Sequence, residues 1–427
     1  MSNELPADTR RRKRRAGVFR HRDFRIYWSG GLLSNTGTWL QNVTAAVHIY
    51  LLTESTVMVG VLSAVTFLPI LLFGLWGGVA SDRFDRRRIV IVSHIVSMVA
   101  MAALTALAIF GLVTPVALLV NAFIINTSWA FAKPALVTML PSLVGRDELV
   151  DATASNSLQY TLAQFIGPML SAAILAVASP GLAYGLNAAT FLAPIVAMLL
   201  IRTTIAPKRS EPDTGNPWAA LLEGLRYIRR QPVVGGMLLA VASASALPEV
   251  VRIMSPVYAV DVLASTEAAA GLLVGSQGFG AAVALFSMPW LRRIAGRRLV
   301  AAGVVAQGGG LALLAIAPHL AVAAAGALIA GIGFAVVFTH LTARLLEVPS
   351  DDMRGRVMSL HTVANLGLRP VTAVVAGLGA TLLEPRLVLV IFILLAPLTL
   401  RFIRKGEAHS ASYHEELLRI AGSKAET

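Results

Sequence analysis

The chain of 427 residues is apolar and basic. Hydrophobic residues make up 56% of it, charged residues only 14%, and the formal net charge is +13. A soluble protein of this length has too little interior to bury so much apolar surface, and a mean hydropathy of +0.71 therefore excludes an ordinary soluble fold. The composition predicts a membrane protein.

Twelve apolar runs follow one another along the chain. Each run is continuous and lacks the alternation of a barrel strand. Its length is close to or above the roughly 20 residues that a helix needs to cross a bilayer, and well above the roughly 9 to 11 residues of a barrel strand. The predicted fold class is all-α, a polytopic membrane protein with twelve transmembrane helices. The predicted spans are residues 24–51, 56–80, 89–110, 116–140, 150–177, 181–201, 232–262, 268–291, 299–317, 319–346, 355–382 and 386–403.

The distribution of positive charge predicts the orientation of the chain. Of the 36 Lys and Arg residues, all but four lie on one side, outside the spans or within the three residues at a span end. Arg386 lies at a span end on the opposite side, and three lie deeper inside spans: Lys133, Arg252 and Arg369. By the positive-inside rule both termini are predicted to be cytoplasmic. The net charge is then explained by topology, so a nucleic-acid partner is not expected.

The spans divide the chain into five segments. Residues 1–23 form a basic N-terminal segment, interpreted as a flexible topogenic tail, with binding of anionic lipid or of a partner as the alternative. Residues 202–231 form a polar linker in which apolar residues at helical spacing predict a helix lying on the membrane surface. The remaining segments are two six-helix bundles, 24–201 and 232–403, and a cytoplasmic tail, 404–427.

A cluster of charges between the second and third spans is too costly to bury in lipid and predicts a tight turn at the membrane surface. Five of its residues match, in order, the pattern Gly-x-x-x-Asp-Arg-x-x-Arg-Arg: Gly78, Asp82, Arg83, Arg86 and Arg87. This loop resembles the one that joins the second and third helices of major facilitator superfamily transporters. The resemblance implies that the five residues form a cytoplasmic gate, which locks the cytoplasmic side shut in the outward-facing state. Asp85 stands where the pattern usually has glycine.

The residue types of this loop have separate physical roles. Gly78 is expected to let the second helix approach a neighbour closely. Asp82 is an anion suited to the N-terminus of a facing helix, and the arginines suit carboxylates or lipid phosphate. The alternative is a turn that is only rich in topogenic arginine, which accounts for the arginines but for neither Gly78 nor Asp82.

The two sets of six helices form a repeat. Ser157-Leu158 and Gly167-Pro168 are echoed, at a constant offset, by Ser359-Leu360 and Arg369-Pro370. For a member of the superfamily, two six-helix pseudo-repeats imply a substrate cavity at their interface near the middle of the bilayer.

Further motifs narrow the resemblance. Residues 28–30, 140–144 and 353–359 are similar to corresponding turns of the bacterial exporter subgroup that includes the enterobactin exporter. On the fifth span, Gly167 and Pro168 keep the Gly-Pro of the helix-5 motif of drug-proton antiporters, whereas its other glycines are replaced by Ala or Ser. The replacements are still small enough for close helix contact. The resemblance implies export in exchange for protons.

Charges inside the spans are costly and each requires an explanation. Glu249 and Arg252 stand three apart on the seventh span and share a helix face. Glu249, with Asp82, is a candidate for proton coupling, because burial and a neighbouring arginine set the proton affinity of a carboxylate. The alternative is a structural ion pair. Asp261, near the end of the same span, is expected to be solvated.

The other charges inside spans are candidates for a substrate cavity. Lys133, Arg252 and Arg369 are suited to attract an anionic group from a water-filled cavity, although Lys133 also lies where it can snorkel toward the cytoplasm. Gln41 and Asn365 are polar candidates for the same cavity, with hydrogen bonding between helices as the alternative.

Sequence signatures of enzymes are missing. The chain has no cysteine, its eight histidines contain no zinc-protease pair, and it has no phosphate-binding Gly-x-x-x-x-Gly-Lys loop. We expect no enzyme activity, no metal, no cofactor and no ATP hydrolysis by the chain itself. An ion gradient, with protons as the coupling ion, is the expected source of energy.

The predicted function is secondary active export of an amphipathic small molecule, siderophore-like or drug-like and anionic, from the bacterial cytoplasm across the inner membrane. Two alternatives remain. One is a lysophospholipid flippase, whose relatives share the loop, and the other is a membrane sensor or scaffold that does not transport. The expected partners are the substrate and the lipid bilayer, and the protein is expected to act as a monomer.

The topology can be tested by labelling, because the chain has no cysteine. With Ser265→Cys, intact cells should react with an impermeant maleimide, whereas with Ser210→Cys they should not, since the linker is predicted to be cytoplasmic. The reverse pattern would overturn the orientation.

Overall fold

The structure is a computed structural model that describes residues 17–203, 226–229, 231–295, 298–349 and 351–403. The basic run at 10–15 and the tail at 404–427 lie outside the described residues. So does most of the predicted surface helix of the linker, of which residues 226–229 are helical.

The described residues form helices and no strands, which confirms the all-α prediction. Helices follow all twelve predicted spans, with ends that differ from the predicted ones by a few residues. They are α1 Arg22–Thr53, α2 Thr56–Arg83, α3 Arg86–Ile109, α4 Pro115–Leu143, α5 Leu149–Val177, α6 Pro180–Leu200, α7 Pro232–Val262, α8 Ala268–Ala295, α9 Leu299–Ala315, α10 Leu320–Glu347, α11 Asp351–Leu382 and α12 Pro385–Ile403.

Ten of these helices have the length and hydropathy needed to cross a membrane; α9 is shorter, with 17 residues, and α1 carries more polar residues. Large apolar side chains stay exposed on the described surface, among them Trp76 at 68%, Phe110 at 74% and Val177 at 87%. Lipid instead of water explains such exposure, because a soluble surface rarely carries apolar side chains on this scale.

Local sequence explains several helix ends. Asp85 caps α3, since its carboxylate accepts from the backbone amide of Arg88 at 3.2 Å. The aspartate that departs from the family pattern therefore has a structural role here. Thr114 caps α4 in the same way at 3.2 Å, and Pro115 occupies the first helical position, where a missing N–H costs nothing.

The chain divides into two compact units, Met1–Ala45 with Leu68–Pro212 and Ala46–Phe67 with Asp213–Thr427. The first unit has its core where the start of α1 packs with α3, α4, α5 and α6. The buried residues of that core are Val18, Phe24, Tyr27, Val90, Ala135, Met139, Leu140, Leu143, Val144, Ala152, Ala197, Met198 and Ile201.

The second unit has its main core along α7, together with α9, α10, α11 and α12. Two buried polar side chains tie α7 to α9. Tyr258 donates its hydroxyl to the carbonyl of Leu314 at 2.5 Å, and Gln307 donates to the carbonyl of Ala244 at 2.8 Å. Residues 46–67, the end of α1 and the start of α2, belong to this unit.

Glycines mark the closest helix contacts. A Cβ on Gly77 would come within 2.2 Å of the Ala130 carbonyl oxygen of α4, and one on Gly167 within 2.5 Å of the Trp39 Cβ of α1. A Cβ on Gly78 would have nothing within 4 Å. The close approach expected at Gly78 is therefore made by its neighbour Gly77.

We predict that Gly77→Ala lowers the melting temperature of the purified protein, because the α4 backbone cannot move away cheaply. Gly78→Ala is the matched control and should leave the melting temperature unchanged or raise it, since alanine favours the helix by about 1 kcal/mol over glycine. Equal destabilisation by both changes would contradict this packing. The measurement is thermal unfolding in detergent.

Candidate functional site

The strongest polar cluster in the described residues is built on α7. Glu249 and Arg252 are 3% and 9% exposed and form an ion pair across one helical turn. Arg252 Nη2 bonds Glu249 Oε1, and Arg252 Nε donates to Glu249 Oε2 at 3.3 Å. Both carboxylate oxygens are therefore bound by one guanidinium, the geometry that makes such pairs strong.

A third member of the cluster comes from α2. The hydroxyl of Ser63, 1% exposed, donates to Glu249 Oε1 and accepts from Arg252 Nη2. A buried charge needs both a partner and full hydrogen bonding. Ser63 supplies part of that bonding from a helix distant in sequence.

A second arginine lies beside the pair. The guanidinium carbons of Arg252 and Arg369 lie 5.7 and 5.5 Å from the centroid of the Phe67 ring, within the range of a cation–π contact. Arg369 also donates to the backbone carbonyl and to the side-chain oxygen of Asn365, both at 3.2 Å. The structure thus brings together four of the residues singled out by sequence: Glu249, Arg252, Arg369 and Asn365.

The cluster carries a net positive charge. Glu249 neutralises Arg252, and no described carboxylate lies within ion-pair distance of Arg369. An arginine satisfied only by neutral groups in an apolar surrounding favours a nearby anion.

The polar candidates of the first unit have other surroundings. Gln41 is 4% exposed, donates to Asn121 at 3.2 Å and accepts from Asn187 at 2.7 Å, and so joins α1, α4 and α6. Lys133 has an exposed side chain on α4. For Gln41 the alternative of hydrogen bonding between helices describes its observed contacts.

The helix-5 motif packs against α1. Gly167 faces Thr36, Trp39 and Leu40, and Pro168 is buried beside it. One turn further, the buried hydroxyl of Ser171 lies 2.9 Å from that of Thr44. The motif therefore fixes a close crossing of α5 and α1, which requires small side chains.

The arginines of the charged loop bind the carbonyl groups of helix ends. Arg86, 6% exposed, donates to Ser81 O at 3.2 Å and to Thr138 O at 3.3 Å, near the ends of α2 and α4. Arg87 donates to Ile201 O at 2.7 Å, beyond α6. Ser81 lies in the last turn of α2 and Thr138 near the end of α4, where a cation complements the helix dipole. Asp82 and Arg83 are exposed.

Asp23 binds backbone amide groups of the segment that follows α6. The carboxylate of Asp23 accepts from the backbone amides of Arg202 and Thr203 at 3.0 and 2.8 Å and from the Thr203 hydroxyl at 2.6 Å. Burial raises the pKa of Asp23, but these hydrogen bonds and the charge of Arg22 outweigh it, so the pKa lies below its ordinary value.

Residues 17–21 are fastened to the start of α5. Glu148 pairs with Arg20 at 3.0 Å and with His21 at 2.6 Å, and Val18 is buried in the core. These contacts, with those of Asp23 and Arg87, bring together the start of α1, the start of α5 and the end of α6 in the first unit.

At the far end of α7, Asp261 is exposed as expected, but it also accepts a hydrogen bond from the buried hydroxyl of Tyr50. The two residues line a pocket of the second unit that also contains Glu54, Glu384 and Arg386.

Comparison with known proteins identifies the family. Residues 16–407 match the major facilitator family described as transmembrane secretion effectors. The chain belongs to this family. It is therefore a multi-pass membrane transporter and not an enzyme, as predicted.

Similar proteins include named exporters. The enterobactin exporter EntS of Salmonella typhi is 28% identical over 371 residues, which cover 84% of this chain and 86% of that protein. EntS of Escherichia coli O1:K1 is 28% identical over 269 residues, 62% of each chain.

Solved transporter structures share the fold. A mutant of the nucleoside transporter NupG matches with a TM-score of 0.71 and 11% identity, covering 89% of this chain and 99% of that one. A bacterial homologue of the human lysosomal transporter Spinster matches with a TM-score of 0.71 and 14% identity, covering 90% and 96%. These likenesses establish the major facilitator fold.

Sequence reasoning missed Ser63, Phe67 and Tyr50 as partners of charged groups. A weak signal existed for the first two, because they lie four residues apart and therefore share one face of a helix. Serine and phenylalanine are common in membrane helices, and nothing in the sequence marks which ones meet α7.

Proposed function

We propose that the protein exports an anionic amphipathic small molecule from the bacterial cytoplasm across the inner membrane, in exchange for protons and by alternating access. Both termini are cytoplasmic in this proposal, the loop at Asp82 closes the cytoplasmic side, and the protein acts as a monomer without a cofactor. Family membership and the named exporters support the direction of transport.

The observation that carries the proposal is the cluster of Glu249, Arg252 and Arg369 inside membrane helices. Placing a charge at the centre of a membrane helix costs about 2.5 to 3.5 kcal/mol on insertion scales. In a purely structural protein, hydrophobic packing would stabilise the same helix contacts at a lower cost than three such charges. A membrane scaffold is therefore disfavoured.

The net charge of the cluster supports an anionic substrate. Arg369 has its positive charge balanced by no described carboxylate, and its planar guanidinium suits carboxylate, phenolate or phosphate groups. The Phe67 ring beside it adds apolar contact area, as an amphipathic molecule requires.

Glu249 supports coupling to protons. It is the carboxylate that binds Arg252, so a proton on Glu249 would remove the ion pair and leave the arginine charge uncompensated. Protonation of Glu249 would therefore change the charge beside Arg369 and the Phe67 ring, which links proton binding to substrate binding.

We predict that Arg369→Gln reduces export of an anion much more than export of a cation. In inside-out vesicles, transport of enterobactin should fall by about tenfold, the effect expected for loss of a charge-assisted hydrogen bond, whereas transport of ethidium should change little. Arg344→Gln on the exposed surface of α10 is the matched control. Equal loss for both probes would mean that Arg369 only holds helices together.

We predict that Glu249→Gln flattens the dependence of export on pH, because the amide keeps the size of the side chain but cannot exchange a proton. Transport in proteoliposomes under an imposed pH gradient, with binding measured separately, is the test. Glu347→Gln, with a side chain 67% exposed, is the control. An unchanged pH profile with a lower yield of folded protein would favour the structural ion pair, and transport of lysophospholipid in place of both probes would favour a flippase.

A further inference from the structure

Ser63 is shared by both charges of the buried pair. Its hydroxyl donates to the carboxylate of Glu249 while it accepts from the guanidinium of Arg252. A hydroxyl has one proton to donate and two lone pairs with which to accept, so the arrangement satisfies an ionised carboxylate and an arginine together. A protonated carboxyl carries its own proton and needs an acceptor, so the same set of bonds cannot persist once Glu249 is neutral.

Ser63 lies in residues 46–67, which pack on the second unit along one face of α2. The residues of this face recur at helical spacing: Thr56, Gly60, Ser63 and Phe67. Thr56 Oγ1 donates to Gly377 O at 3.1 Å, and a Cβ on Gly60 would lie 2.6 Å from Ala373 O. The start of α2 is therefore in backbone contact with α11, and Ser63 reaches α7 from there.

The chain passes between the two units at both ends of this segment. The first unit ends at Ala45 within α1 and resumes at Leu68 within α2, with Pro69 one residue further. Proline removes a backbone hydrogen bond and is a common site of helix bending. Residues 46–67 are therefore joined along the chain to the first unit through both α1 and α2, and to the ion pair through Ser63.

We propose that Ser63 is a positioning residue that links the charge state of Glu249 to the packing of residues 46–67 on α7 and α11. The ionised pair holds the segment in place through the shared hydroxyl, and protonation of Glu249 releases it. This inference rests on the proposed function, because it identifies the contact through which protonation of Glu249 would change the conformation.

The groups that face Glu249 are few in the described part of the chain. Arg252 faces it from α7 and Ser63 from α2, while Arg369 of α11 contacts the Phe67 ring. No other described side chain is placed within ion-pair distance of Glu249. Other titratable side chains lie toward the far end of the segment, where Glu54 and Asp261 line the pocket, and His48 belongs to the segment itself. A response of the contact between Gly60 and Ala373 is therefore assigned to Glu249 through its loss in Glu249→Gln.

The test measures packing of residues 46–67 and needs no substrate. Ala373 is fully buried under α2, between Arg369 and Gly377 on the α11 face, so Ala373→Cys in the cysteine-free chain reports opening of this contact. Its rate of alkylation by N-ethylmaleimide is measured in proteoliposomes at about pH 5.5 and about pH 8. Each rate is divided by that of exposed Thr381→Cys, which removes the pH dependence of thiol chemistry.

With Ser63 present, the normalised rate should rise about tenfold at the lower pH, as expected for loss of a hydrogen bond to a charged group. Ser63→Ala should abolish the response, Ser63→Thr should restore it, and Thr66→Val, which removes a hydroxyl bonded within α2 itself, should leave it intact. Ser63→Gly serves in place of Ser63→Ala if the latter does not fold.

A response that survives Ser63→Ala would overturn the inference, and so would one that survives Glu249→Gln. A response that requires both side chains, in a protein whose transport does not depend on a proton gradient, would support the inference and contradict proton exchange. The two proposals therefore fail separately.

Discussion

The cost of burying charge in an apolar surrounding constrains this structure more than any other factor. Glu249 and Arg252 are tolerated inside the membrane helices because each neutralises the other and because Ser63 completes their hydrogen bonds. Arg369 is tolerated through Asn365 and the Phe67 ring. The contacts of α2, α7 and α11 at this point follow from the need to satisfy these side chains.

In the first unit, charged side chains bind backbone groups near the ends of helices. The arginines of the charged loop bind carbonyl groups near the C-terminal ends of α2 and α4 and in the segment after α6, where a cation complements the helix dipole. Asp23 binds the amide groups of that segment from the other side. In the described structure, the arginines of the loop predicted to form a gate bind backbone groups near helix ends.

Residues 46–67 are the part of α1 and α2 that belongs to the second unit. They are continuous in sequence with helices of the first unit, yet they pack within the second and carry Ser63 and Phe67 to the buried pair. A transporter needs a physical link between what its binding site holds and which conformation it adopts, because a ligand shifts a conformational equilibrium only through contacts that differ between the states. This segment has the contacts and the connections for such a link.

The sequence by itself determined the membrane class, the twelve helices and the pairing of Glu249 with Arg252. Length and hydropathy act locally, and a spacing of three residues places two side chains on one helix face whatever the rest of the chain does. Only the tertiary structure decided the partners from distant helices. Ser63 and Glu249 are 186 residues apart. Likewise, Gly77 and not Gly78 meets α4, because successive residues of a helix point about 100° apart and the sequence does not state which direction faces a neighbour.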